Sequence, residues 1–310
     1  MTAAVVSAPA TRESFEYRSW WEHIAFHVFI WGPGAAIVTG FVFALRGHTL
    51  SPLTITLAAV FYVATAHGIT VGYHRMLTHR SFKPNRALKI ALTIAGAMAI
   101  QGGPIRWVAD HRKHHQHSDS EGDPHSPWRF GTGPAALTKG LWWAHTGWLF
   151  QRNQAPKHAY APDLLDDPDL VLIHRLFPLW VSLSVLLPPG IVLACTGSWA
   201  AAGAALLWAS GVRIFVLHHV TFAINSLCHV AGRRPFTTRD RSTNVWPLAV
   251  LSMGESWHNL HHAEPTSARH GVDRGQLDSS ARLIRWFERC GWARDVRWPD
   301  TLRLAARRQA

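Results

Sequence analysis

Four stretches of this 310-residue chain are long, apolar and almost free of charge, at about 24–45, 52–73, 176–195 and 199–220. As helices rising 1.5 Å per residue they are long enough to cross a hydrocarbon core roughly 30 Å thick. The pattern predicts an all-α integral membrane protein with four transmembrane helices. The first two are joined by the turn 46–51 and the last two by Thr196-Gly197-Ser198, and Pro188-Pro189-Gly190 is expected to kink the third. Residues 87–102 are apolar but shorter, and read as interfacial or packed within protein.

Charge sets the expected topology. Of 31 Lys+Arg, 12 fall in residues 74–174 and 14 in 222–310, whereas Arg46 is the sole basic residue of the two connecting turns. The positive-inside rule then puts both termini and the polar segments on the cytoplasmic side. Residues 1–20 read as an N-terminal tail without a signal-peptide pattern, 21–300 as one membrane domain and 301–310 as a basic tail. The excess of cations over 19 Asp+Glu suits a nucleic acid, an anionic membrane surface or a negatively charged substrate. The apolar blocks favour the last two, so no nucleic-acid partner is expected. Cys195, Cys228 and Cys290 are scattered with no CxxC, which argues against an iron–sulfur or zinc-ribbon module and against a disulfide framework.

Histidine is in large excess, at 21 residues. His111, His114 and His115 stand at i, i+3 and i+4, one face of a helix, and His258, His261 and His262 repeat the spacing. His74 and His79 form a third pair, but lie about 140° apart on an ideal α-helix, so one is expected where the helix ends or bends. Imidazole suits Fe, Zn, Cu and Ni. Eight such groups are too many for one tetrahedral zinc and fit two ions with room for a further ligand and water. Zinc-buffering tracts are irregular, unlike these spaced clusters. A metal transporter or metal-binding scaffold would carry its ligands near the middle of the spans, whereas these lie beyond the cytoplasmic ends. His67 reads as hydrogen-bonded inside a span. His117, His125, His145, His158, His218, His219 and His270 have no ligand spacing, and Arg213 in the fourth span is expected to snorkel or pair.

The blocks HRMLTHR (74–80), DHRKHHQHSD (110–119), GDPHSP (122–127), WWAHTGWLF (142–150), NSLCH (225–229), GESWHNLHH (254–262) and SARHG (267–271) resemble the membrane acyl-CoA desaturases of the stearoyl-CoA (delta-9) type, in their bacterial form. The likeness runs over roughly residues 50–300 with the motifs in the same order. It implies a cytoplasmic helical cap holding a non-haem di-iron site. The implied ligands are His74, His79, His111, His114, His115, His229, His258, His261 and His262, with Asn225 reaching the metal through water. It also implies that O2 is reduced while two adjacent hydrogens leave a fatty acyl thioester, giving a cis double bond. Acyl-CoA is the expected carrier, with acyl carrier protein or a membrane lipid as alternatives.

Unactivated methylenes are beyond amino-acid acid–base chemistry, so the cofactor carries the reaction. The chain has no module of its own to supply electrons, which must come from an external reductase or ferredoxin. Ser256 stands where the motif usually has glycine, and Phe222 replaces the aromatic after Thr221. With Trp107 these residues are expected on the substrate tunnel, where they bear on chain length and bond position. A hydroxylase or acetylenase outcome on the same scaffold stays open. Asp110 and Glu255 are expected to orient imidazole N–H groups. Arg75, Arg80, Arg106 and Lys113 face the side where an anionic carrier docks.

Overall fold

The computed structural model describes residues 16–17, 19–47 and 50–309, so most of the expected N-terminal tail lies outside the described residues. Four helices are long and apolar enough to cross a membrane: Glu22–Leu45, Pro52–Thr78, Phe177–Thr196 and Trp199–His229. Their starts follow from local chemistry. Ser19, Ser51 and Ser198 each accept a backbone N–H three residues ahead, and Glu22 completes a capping box with Ser19. Gly197, at φ 65°, ends the third span in the left-handed conformation that glycine adopts without a Cβ penalty. Large apolar side chains such as Val38, Phe41, Ile55, Val60 and Leu186 point outward, as a lipid-facing surface requires. The chain is an integral membrane protein.

The third span stays helical through Pro188 and Pro189. Each proline lacks the N–H that would bond the carbonyl four residues back, which frees Ser184 O and Val185 O. Both carbonyls are recovered by the fourth span. Arg213 Nη2 donates to Ser184 O at 2.9 Å, and Ser210 Oγ donates to Val185 O at 2.7 Å. Arg213 is therefore paired within the span, at 3 % exposure.

The second and fourth spans, at 27 and 31 residues, overrun the apolar stretches and carry His74 and His229 beyond them. There they meet a cap of shorter helices, Arg86–Ala97, Pro104–His117, Pro134–His145, His258–Ala263 and Ser279–Arg289. Two ladders of two residues each, Glu16–Tyr17 with Asn153–Gln154 and Lys83–Pro84 with Ala293–Arg294, tie down the periphery. The main apolar core lies at this junction and includes Tyr73, Leu92, Ile105, Val108 and Ile284.

Helix Arg86–Ala97 belongs to the protein interior rather than spanning on its own. It presses on the second span so closely that a Cβ on Gly68 would lie 2.2 Å from Gly96 N, and one on Gly72 2.7 Å from Leu92 O.

Candidate metal centre

From Gly68 to Thr78 the second span winds as a π-helix. Its i→i+5 bonds continue to the end, where the His79 N–H reaches His74 O at 3.1 Å. In that wider winding each residue turns less than in an α-helix, so the fifth successor comes round nearer the same face, which reduces the angular mismatch expected for His74 and His79. Their ring centroids are 4.8 Å apart.

Nine histidines converge as two sets, within each of which the ligand nitrogens lie within 4.8 Å of one another. One holds His74, His79, His111, His115 and His261, and the other His114, His229, His258 and His262. Both HxxHH helices are shared between the sets. His111 and His115 turn to the first and His114 to the second, while His258 and His262 turn to the second and His261 to the first. His229 enters from the end of the fourth span.

Carboxylates fix the rings. Glu255 meets His74 Nδ1 at 2.6 Å, Asp123 meets His114 Nδ1 at 3.0 Å, Asp119 meets His229 Nδ1 at 2.8 Å and Asp240 meets His262 Nδ1 at 2.7 Å. Each contact places the imidazole proton on Nδ1 and leaves Nε2 as a lone pair. The Nε2 atoms of His229 and His262 both face His258 Nε2, at 3.1 and 3.0 Å, and a single proton cannot satisfy both. His261 Nε2 likewise faces His74 Nε2 at 3.0 Å and His115 Nε2 at 2.8 Å. Converging lone pairs repel unless a cation lies among them, so the donor sets fit metal ions.

The electrostatics agree. Burial holds the imidazoles of His79, His111, His115, His258 and His261 well below their ordinary pKa, and neighbouring histidines add to the effect. His262 falls to about 4, mainly by burial, with Asp240 opposing. Burial by itself raises Asp119, Asp123, Asp240 and Glu255, yet their imidazole and other hydrogen-bonding partners hold all four below the usual range. These six imidazoles are held neutral and the four carboxylates ionised.

A largely apolar cavity of about 620 Å3 reaches His74, His111 and His258. Asn225, Trp107, Thr221 and Phe222 are on its wall, and Gln101 Nε2 donates to Thr221 Oγ1 at 2.9 Å. Trp107 stacks on His111 with centroids 4.9 Å apart. Glu22, Arg106, Lys157 and Arg175 form a polar part of the lining, near the first turns of the first and third spans.

Several expected positions are corrected. Ser256 is buried behind the cavity and does not line it. Arg75 is 0 % exposed, bridging Glu255 at 2.9 Å and Asp278 at 3.0 Å, and Lys113 is 6 % exposed near the Tyr160 ring. Neither is on a surface that a carrier can reach. Arg80 is exposed and paired with Asp163 at 2.6 Å, while Arg106 pairs with Glu16 and lines the cavity. Asp110 accepts the Ala155 N–H at 3.1 Å and lines the cavity. Asp119, Asp123 and Asp240 orient imidazoles as Glu255 does.

These three aspartates were missed because Asp119, Asp123 and Asp240 lie 110, 9 and 22 residues from their partner histidines. Asp123 lies in the block GDPHSP and Asp119 closes the block DHRKHHQHSD, whereas Asp240 is in none of the quoted blocks. His270 was missed too. It is 1 % exposed, and its Nδ1 accepts from Arg75 Nη2 at 3.2 Å. His125 stacks on His114 with centroids 4.3 Å apart.

The family profile described as "Fatty acid desaturase" matches residues 50–289. The chain is 37% identical over 266 residues to a hex-5-enoyl-[acyl-carrier protein] acetylenase of Moorena producens (strain JHB), covering 85% of this chain and 83% of that one. It is 36% identical to an sn-1 stearoyl-lipid 9-desaturase of Anabaena variabilis, covering 84% and 90%. An acyl-CoA C20 Delta5-desaturase of Anemone leveillei is 35% identical, covering 79% and 73%. The chain belongs to the fatty acid desaturase family.

Proposed function

We propose that this protein is an O2-dependent acyl desaturase that places a cis double bond in a fatty acyl thioester, with acyl-CoA as carrier, at a non-haem pair of iron ions. The observation that carries the reading is the junction of two histidine sets with an apolar cavity that touches both. His74, His79, His111, His115 and His261 would hold one ion, and His114, His229, His258 and His262 the other, with Asn225 acting through water. The iron pair, when bound, supplies the oxidising power: O2, two electrons and two protons become two waters as two hydrogens leave adjacent methylenes.

The chain's own residues do the rest. Ile69, Ile100, Leu217, Phe222 and their neighbours exclude water from the cavity and immobilise the acyl chain, so that one pair of methylenes faces His111 and His258. The Gln101–Thr221 hydrogen bond and the Trp107 ring restrict how the chain can bend there. Glu255, Asp119, Asp123 and Asp240 keep the protons on Nδ1. Arg106, Lys157 and Arg175 meet the anionic carrier, and the site and both termini face the cytoplasm.

A second reading, desaturation of a chain carried on a lipid or on acyl carrier protein, or acetylenation of it, is favoured by the likeness to the Anabaena and Moorena proteins.

The test is a lipid profile by mass spectrometry in a host expressing the chain with a reductase, beside His115→Ala and His262→Ala. A new double bond that vanishes in both variants supports desaturation and gives its position. A triple bond or an alcohol favours the sibling reactions. No bound metal in folded, iron-supplied protein overturns the reading.

A further inference from the structure

Between the fourth span and the last histidine cluster the chain runs Trp246-Pro247-Leu248-Ala249-Val250-Leu251-Ser252-Met253, and no charged residue lies between Arg241 and Glu255. The segment belongs to none of the four spans. Its turns separate two faces. Ala249, Ser252 and Met253 are buried, whereas Trp246, Pro247, Val250 and Leu251 are exposed, paired at the i and i+4 spacing of one helical side. Trp246 is 75 % and Val250 63 % exposed, as open as Ile55 and Val60 on the outward side of the second span. A single exposed apolar residue needs no explanation, but a patch of four calls for a partner.

The fold says what covers it. The Tyr62 hydroxyl donates to Leu251 O at 2.8 Å. Tyr62 stands on the stretch of the second span that carries the exposed Val60 and Val63, ahead of the buried turns that begin at Thr65. The outward face of the segment therefore continues a wall that faces lipid. Its backbone suits that setting, because an unpaired N–H or C=O is costly in hydrocarbon. Leu248, Ala249, Ser252 and Met253 donate their N–H groups to the carbonyls of Val245, Trp246, Leu248 and Val250, and Leu251 O is taken by Tyr62. We infer that Trp246–Leu251 is a membrane-inserted wedge, a non-spanning segment immersed in the acyl-chain boundary of the leaflet on the histidine side. Its occupant is lipid hydrocarbon. On the inner side Leu251 and Ser252 line the apolar cavity, with Glu255 and His258 close behind in the chain. The wedge thus forms a wall between the cavity and the bilayer and ties the helix His258–Ala263 to the membrane. The inference stands whichever reaction the site performs.

The experiment attaches a bimane fluorophore to Val250→Cys or Trp246→Cys in the full chain, reconstituted in phosphatidylcholine vesicles. Cys195→Ser and Cys290→Ser remove the exposed native thiols. Val60→Cys, on the second span, is the lipid reference, and Lys83→Cys, an exposed ion-paired position on the Lys83–Pro84 ladder, is the water reference. Brominated acyl chains should quench the labels at 246 and 250 at least about half as strongly as at 60 and several-fold more than at 83. Iodide in the water should quench in the reverse order. Position 246 repeats the measurement should Val250→Cys not fold. Iodide quenching at 246 and 250 equal to that at 83, with no effect of bromine, overturns the proposal. Shielding of both labels from both quenchers also overturns it, because protein, such as a second copy of the chain, would then cover the face.

Discussion

An imidazole offers a metal its Nε2 lone pair only while Nδ1 keeps the proton, and a carboxylate in front of Nδ1 enforces that state. Asp123 and Asp240 hold His114 and His262 in this way. Asp123→Asn and Asp240→Asn should therefore each weaken metal retention about 10- to 100-fold, read as metal content against chelator concentration.

Arg75 is fully buried between Glu255 and Asp278. Arg75→Met strands two carboxylates and should cost about 3–5 kcal/mol, measured by chemical unfolding of the purified protein. The metal-free protein should also be acid-sensitive. Burial lowers His125 and His270 to about 3, with His114 adding to the effect at His125 and Arg75 at His270. Unfolding lets each take up a proton once the pH is below about 6.5. Stability is then complete above about 6.5 and falls on acidification toward 3, by about 1.4 kcal/mol per pH unit for each such group. A melting temperature flat across pH 4–7 would contradict this.

At the scale of elements, the π-helix decides whether His74 and His79 work together. Along it, Gly68 and Gly72 let helix Arg86–Ala97 lie directly against the second span. Gly68→Ala puts a methyl 2.2 Å from the Gly96 nitrogen, and backbone cannot yield as a side chain does. The variant should lose about 1–3 kcal/mol and lose metal from the set that contains His74 and His79 first. Wild-type metal content and stability would show that the close approach is unimportant. The paired spans follow the same logic: carbonyls freed by Pro188 and Pro189 are the ones that Arg213 and Ser210 occupy.

For the whole molecule, the four spans serve to bring three distant sequence clusters to one end, where the nine histidines meet beside an apolar cavity. Sidedness can be read from two exposed cysteines. Cys195 closes the third span beside the turn 196–198, and Cys290 lies in the cap, while Cys228 is buried. A membrane-impermeant maleimide should label Cys195 in cells with a permeabilised outer envelope and Cys290 only in inverted vesicles. The opposite pattern would reverse the proposed orientation.

Local chemistry is what the sequence could express alone. Apolar length marked the four spans and HxxHH spacing placed three imidazoles on a face, because each of these depends on neighbours within a turn or two of helix. The tertiary structure decided what depends on residues far apart in the chain. It set the π winding that brings His74 and His79 together, where the second span packs against helix Arg86–Ala97. It brought Asp119 to His229 and Asp240 to His262. It also turned Arg75 and Lys113 inward, although both read as surface cations, because a charge can be buried wherever the fold supplies its partners, and no local pattern records which distant partners those will be.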